Sequence, residues 1–128
     1  MKAFIVERYG KNSPRAGEVS EPELGAGDVL VRVRAAGVNP LDSKIRNGEF
    51  MLILPYRPPF VLGHDVVGVV TRVGSDVRNF TVGDEVYARP NKDRIGTFAE
   101  LIALTRTTWR SSRSHCPCSK RPRCPWWA

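Results

Sequence analysis

The sequence predicts a mainly β domain, a barrel or a sandwich with one short helix, followed by a basic tail without regular structure. Three observations predict it. Short apolar runs recur between turn residues at the spacing of an all-β fold. One segment carries both the start and the stop signals of a helix. The composition also changes abruptly near residue 105, where a near-neutral body meets a tail rich in Arg, Cys, Pro and Trp.

The elements follow in chain order. Residues 2–6 form a short apolar strand. Residues 28–36 alternate apolar and polar side chains for most of their length, which is the period of a half-buried strand. The turn signal Gly25-Ala26-Gly27-Asp28 precedes them. Residues 39–48 break the β pattern: Asn39 can cap a helix, Pro40 suits its first position, and Gly48 can end it. Leu41 and Ile45 are one helical turn apart and share a face. Residues 54–60 hold three prolines, which remove backbone donors, so they read as an extended loop over the barrel mouth. Residues 65–73 form a Val-rich strand with Gly68 inside it, a mark of a bulge or a close backbone approach. Residues 82–88 form a strand opened by a turn, and residues 96–104 form the last one. Gly74-Ser75-Asp76 and Pro90-Asn91 supply the intervening turns.

A chain of 128 residues suffices for one domain with a real core. No run of 18 apolar residues is present, so no membrane span is expected. The start, Met1-Lys2-Ala3-Phe4-Ile5-Val6-Glu7, lacks the apolar region of a secretory signal, which makes the cytoplasm the default location. The net charge of +7 belongs to the tail. Residues 1–105 hold 14 basic and 13 acidic side chains, whereas residues 106–128 hold six basic and none acidic. All three Cys and all three Trp also lie beyond residue 105.

Four blocks carry a resemblance. Gly37-Val38-Asn39-Pro40-Leu41-Asp42-Ser43-Lys44-Ile45-Arg46 is the first, and Pro59-Phe60-Val61-Leu62-Gly63-His64-Asp65-Val66-Val67-Gly68-Val69-Val70 is the second. Val73-Gly74-Ser75-Asp76-Val77 with Phe80-Thr81-Val82-Gly83-Asp84-Glu85-Val86-Tyr87 is the third, and Gly96-Thr97-Phe98-Ala99-Glu100 is the fourth. In this order and spacing, residues 1–104 resemble the N-terminal domain of zinc-free, NADP-dependent medium-chain oxidoreductases, the quinone oxidoreductase-like branch of the alcohol dehydrogenase-like proteins. The resemblance implies a GroES-like, partly open β-barrel over residues 1–104. It implies a second, Rossmann domain carrying NADP(H), with the active site between the two. It also implies hydride transfer to a small-molecule quinone, enal, enone or related carbonyl, with the chemistry carried by the cofactor.

Zinc-dependent relatives place a Cys at the position of Asn39 and a His at that of His64. Catalytic zinc needs three protein ligands. The thiolate is absent here, and residues 1–105 contain no Cys for a structural zinc loop, so the body reads as zinc-free, with no metal ligands. His64 is then either a buried, hydrogen-bonded histidine or a polar group lining the substrate cleft. Asn39 is a helix cap worth about 1 kcal/mol, and by resemblance it also lies at the nicotinamide end of the cleft. Asp42 and Lys44 are either a solvated helix face or part of the cofactor-side rim. Tyr56 is a loop anchor or a group that reaches the substrate carbonyl. No residue stands out as a certain general acid.

The tail, residues 105–128, has three readings. His115, Cys116, Cys118 and Cys124 could form a metal site, but their spacing matches no standard zinc module. Six basic residues with three Trp could form an arm for nucleic acid or another anionic surface. The third reading is a shifted frame. Joining the last base of each codon to the first two of the next turns His115-Cys116 into Leu, Trp126-Trp127 into Val and Trp127-Ala128 into Gly. The remaining pairs permit Glu-Asp-Asp-Val-Ala-Leu-Lys-Pro over residues 105–113. They also permit Leu-Ser-Met over 115–118 and Glu-Ala-Ala-Ser-Leu-Pro-Leu-Val-Gly over 119–128. That peptide is similar to how the resembled family continues. In any reading the tail has few aliphatic residues and no period, so it is expected to stay disordered. Disulfides are not expected in a reducing compartment.

The body has no Gly-x-Gly-x-x-Gly segment, and no βαβ unit follows it. The chain is therefore expected to bind no cofactor tightly and to show no significant reductase activity alone. Two function classes follow. One is the N-terminal half of an oxidoreductase, and the other is a stand-alone barrel used as a binding module with a basic arm. The first predicts an exposed apolar face; the second predicts binding that falls steeply with salt. Neither names the substrate or the oligomeric state.

Overall fold

The computed structural model describes residues 1–11, 14–91, 94–105 and the short strand Trp109–Ser111. Eight strands and one helix are assigned within them: β1 (Lys2–Val6), β2 (Arg15–Glu18), β3 (Asp28–Gly37), α1 (Pro40–Asn47), β4 (Phe60–Val61), β5 (Asp65–Val73), β6 (Glu85–Ala88), β7 (Leu101–Thr105) and β8 (Trp109–Ser111). They form a three-stranded sheet of order β2-β1-β4 and a five-stranded sheet of order β7-β3-β5-β6-β8. All pairings within both sheets are antiparallel. This is the mainly β, partly open architecture that the sequence predicts.

The larger sheet is built by alternation. Val29 and Val31 of β3, Val66 and Val70 of β5, Val86 and Ala88 of β6, and Ile102 and Leu104 of β7 point to one side and form the main core. Burying a Val or Leu side chain fully is worth roughly 1.5–3 kcal/mol, so this cluster supplies most of the drive for the sheet. The register of β3 against β5 shifts between Val33 and Ala35. Gly68 lies opposite that bulge, and a Cβ on it would stand 2.2 Å from the Arg32 carbonyl oxygen. Only glycine allows the two backbones to approach this closely. The turn before β3 is tied down by Asp28, whose carboxylate accepts the Gly25 N–H at 3.2 Å and an Arg94 guanidinium N–H at 3.0 Å.

The two sheets are joined by the segment that leads into β7. The Phe4 N–H donates to the Phe98 carbonyl at 2.9 Å, and the Glu100 N–H donates to the Lys2 carbonyl at 3.1 Å. The Phe98 N–H donates to the Leu62 carbonyl at 3.0 Å. These bonds explain why the expected strand over 96–104 is shorter: its first half pairs with β1 and the 62–63 segment instead of continuing along β3. The expected strand over 82–88 likewise starts later, at Glu85, because residues 81–84 form a turn in which the Asp84 carboxylate accepts the Thr81 N–H at 3.0 Å.

α1 matches its expected limits. Asn39 is the N-cap, Pro40 opens the helix, and Gly48 closes it in the left-handed conformation at φ 83°. The Gly48 N–H donates to the Ile45 carbonyl at 3.0 Å. Ile45 is buried with Val6 and Leu62 in a second core cluster, against which Leu41, Phe50, Leu54, Tyr56, Phe60 and Phe98 pack. The proline-rich loop is thus pinned by its apolar side chains, with a cis bond between Pro58 and Pro59.

The sequence expects no order beyond residue 104, yet β7 runs to Thr105 and Trp109–Ser111 pairs with β6. Backbone pairing on a sheet edge needs no side-chain pattern, which is why composition gave no sign of it. Residues 106–108 and 112–128 lie outside the described residues, among them His115, Cys116, Cys118, Cys124 and the terminal Trp pair.

Candidate active site

The candidate site forms where the N-terminus of α1 meets the start of β5. Asn39 ends the extended run that follows β3, and its backbone N–H donates to Asp42 Oδ2 at 2.8 Å. Asp42 is thus the third-position carboxylate of a capping arrangement. The side-chain amide of Asn39 donates through Nδ2 to Asp65 Oδ2. The expected cap is therefore present in position, while the Asn39 amide itself bridges to β5. Asp65 was not singled out from the sequence, where it is only the first residue of a Val-rich strand.

Asp42 has a second partner. Its Oδ1 lies 2.6 Å from His64 Nδ1, across 22 residues of sequence. Asp42 is 2 % exposed and His64 4 %. Asp42 is therefore not on a solvated helix face, which corrects that expectation. The second carboxylate oxygen meets the histidine because α1 lays its first turn against the 62–65 segment, over Ile45 and Leu62. His64 takes the buried, hydrogen-bonded reading at Nδ1. Lys44 is exposed, with Nζ 5.9 Å from the centroid of the Phe50 ring. It is not joined to the Asn39–Asp42–His64–Asp65 chain by any contact among the described residues.

Tyr56 is half-buried in the proline-rich loop. Its ring lies 5.5 Å from that of Phe60, and its carbonyl accepts the Tyr9 hydroxyl. The loop-anchor reading describes these contacts. Tyr9, also 6.0 Å from Phe60 by ring centroid, is a second anchor that the sequence did not mark.

A catalytic zinc would need three protein ligands. A carboxylate behind an imidazole is a common support for a metal-bound histidine. Here, however, the Asn39 position supplies an amide already engaged by Asp65. Among the described residues no group of three or more His, Cys, Asp or Glu side chains is placed to hold a metal ion. The donor set does not fit zinc. It does not fit the pyrophosphate of a dinucleotide either. The N-terminus of α1 is occupied by Asp42, with Asp65 beside it, and both would repel an anion.

The described residues line surface grooves. One of about 500 Å³ is lined by Met1, Val19, Glu23, Val61, Arg94 and Leu101 among others. Another, of about 440 Å³, is lined by Arg32, Val33, Glu100 and Leu101. Neither is lined by Asn39, Asp42, Lys44, Tyr56 or His64. Exposed apolar side chains flank α1 in sequence. Val38 before the helix is 77 % exposed, and Leu52 after it is 100 % exposed, between exposed Met51 and Ile53. No helix among the described residues is long and apolar enough to cross a membrane.

Comparison with known proteins fits this arrangement. Residues 25–109 match the alcohol dehydrogenase GroES-like domain. A chloroplastic quinone-oxidoreductase, QR1 of Triphysaria versicolor, is 40 % identical over 90 residues, covering 69 % of this chain and 27 % of that protein. The chloroplastic NADPH-dependent alkenal/one oxidoreductase of Arabidopsis thaliana is 38 % identical over 112 residues, covering 81 % of this chain and 29 % of that protein. The quinone oxidoreductase of Coxiella burnetii superposes with a TM-score of 0.80 at 30 % identity, covering 87 % of this chain and 36 % of that one. The chain thus spans under a third of the length of these two plant relatives. It belongs to the alcohol dehydrogenase GroES-like domain family.

Proposed function

We propose that this chain is the substrate-side half of a zinc-free, NADPH-dependent oxidoreductase that reduces quinones, enals, enones or related carbonyls by hydride transfer. The observation that carries the reading is the hydrogen-bonded Asn39–Asp42–His64–Asp65 chain at the junction of α1 and β5, of which Asp42 and His64 are buried. Each buried polar group that lacks a partner is costly, so a wired polar chain of this kind suits a site, and it lies within residues 25–109, which match the alcohol dehydrogenase GroES-like domain. The exposed apolar side chains on either side of α1 in sequence support the same reading, because exposed large apolar side chains suit coverage by another part of a larger protein.

In this reading His64 and Tyr56 belong to the substrate side, and Asn39 to the nicotinamide end. Asp42 supports His64 from behind, and exposed Lys44 stays a cofactor-side candidate outside that hydrogen-bonded chain. NADPH would supply the hydride, and this chain, which contributes Asn39 at the nicotinamide end, is proposed to bind no cofactor tightly by itself. Hydride transfer needs two reactants held in register, so the chain alone lacks significant reductase activity. The cytoplasm is the proposed location, and residues 105–128 are proposed to be a frame-shifted continuation of the same lineage. The test is direct: titrate the purified 128-residue chain with NADPH by fluorescence and assay it with a quinone and an enone. No saturable NADPH binding and no turnover are expected. Turnover by this chain would overturn the half-enzyme reading.

A further inference from the structure

We infer that β7 is a pairing edge: a second copy of this chain adds its own β7 antiparallel to it, centred on Ala103, so that one sheet runs through a two-fold axis. Among the described residues the two sheets end in β2 and β4 and in β7 and β8. Long, uncharged edges invite pairing with another chain, and proteins blunt them with charge, proline or short length. Three of these edges are blunted. β2 carries exposed Arg15 and Glu18. β4 is two residues long and follows Pro58 and Pro59. β8 is three residues long. β7 has no such protection. Leu101-Ile102-Ala103-Leu104-Thr105 holds no charge, no proline and no glycine, and its register against β3 runs without a bulge.

The register fixes which backbone groups of β7 face outward. The Val33 N–H donates to the Glu100 carbonyl at 2.9 Å. In an antiparallel pair every second facing pair repeats that bonded geometry, here Val31 with Ile102 and Val29 with Leu104. Ile102 and Leu104 thus turn their N–H and C=O groups to β3. Leu101 and Ala103, which alternate with them, turn theirs away, where no other described strand meets them. A groove of about 500 Å³ is lined by Leu101, Ile102 and Ala103 together with Val19, Val61 and Ile95, so open space lies beside this part of the strand. A strand added there gains main-chain hydrogen bonds, and its alternate side chains meet the groove.

The occupant is a second copy because the strand complements itself. Centred on Ala103, an antiparallel copy sets Ala103 opposite Ala103, with the outward groups of both in bonding position. The flanking charges agree with that centre. Glu100 precedes the strand, its Oε2 accepting the Lys2 N–H at 2.8 Å, and Arg106 follows it in the sequence. The same pairing sets position 100 of one copy opposite position 106 of the other, acid against base, which favours a strand pair. Parallel pairing would set like against like. A patch that meets itself closes at two copies. None of this depends on the oxidoreductase reading.

The test is sedimentation equilibrium of the full 128-residue chain together with amide hydrogen exchange, both in reductant so that tail thiols cannot link copies. The expected result is a reversible monomer–dimer equilibrium between micromolar and sub-millimolar protein. Exchange at Leu101 and Ala103 slows as the dimer forms, while exchange at Ile102 and Leu104, already bonded to β3, does not change. Ala103→Lys and Ala103→Glu each set like charges face to face across the axis. Each alone is expected to stay monomeric, and an equimolar mixture of the two regains the dimer. A wild-type chain that stays monomeric throughout overturns the inference, as does association beyond two copies. So does a dimer whose Leu101 and Ala103 amides exchange as they do in the monomer, or a mixture of the variants that stays monomeric. If the variants fail to fold, the wild-type mass and exchange still decide.

Discussion

The core of the five-stranded sheet and the junction of α1 with β5 are built on opposite principles. The sheet core is eight aliphatic side chains from four strands, interleaved by alternation, with no polar member. The junction places Asn39, Asp42, His64 and Asp65 in one hydrogen-bonded chain, with Asp42 and His64 buried as deeply as the valines. Aliphatic burial is forgiving, since volume and pattern suffice. A buried polar chain is not, because each group left without its partner costs its full desolvation. The difference separates a region that makes the fold from one that the fold is used to hold.

That contrast can be broken most forcefully at Asp42. Asp42→Ala leaves His64 buried without its acceptor and removes the carboxylate from the helix cap. Loss of a partner in a buried pair costs about 3–5 kcal/mol, so urea denaturation is expected to show a loss of about 3 kcal/mol. A loss below about 1 kcal/mol would place the pair in a solvated setting and remove the contrast. Gly68→Ala tests the sheet side. The new methyl would meet the Arg32 carbonyl oxygen, and overpacking of this kind costs about 1–3 kcal/mol. A thermal melt is expected to fall accordingly. The smallest effect belongs to neither region. Arg15 and Glu7 pair at 2.6 Å on the surface, with side chains 65 % and 56 % exposed. Arg15→Ala is expected to change stability by under about 0.5 kcal/mol, and that small difference should shrink further in salt.

How much of this could be read from the sequence also divides along the two regions. β3 and β5 are legible because alternation declares which face is buried, and Gly68 declares the bulge. α1 is legible from Asn39, Pro40 and Gly48. β2 and β4 are not, because Arg15–Glu18 has no apolar alternation and Phe60–Val61 is two residues long. Their strand character comes from pairing with β1, which no local pattern encodes. β8 is the extreme case, a strand in a segment whose composition argued against any order. At the site, Asn39 and His64 are legible through their motifs. Their wiring is not. Asp42 looks like an ordinary acidic residue in a first helical turn, and its partner lies 22 residues away. Which of two helix-face acids or bases turns inward is decided by how α1 packs over Leu62 and Val6, a tertiary fact.

On the proposed function, this chain is the N-terminal, substrate-side part of a carbonyl-reducing enzyme whose hydride transfer also needs a nucleotide-binding segment. The most direct measurement sequences the DNA around codon 105, restores one base, and assays the resulting protein beside the 128-residue chain. The account predicts an open frame leading into a glycine-rich nucleotide-binding segment. It also predicts NADPH-dependent reduction of a quinone or enone by the restored protein alone. A restored frame that meets an early stop, or one that encodes no such segment, would contradict it, as would a restored protein that binds NADPH but reduces neither substrate class.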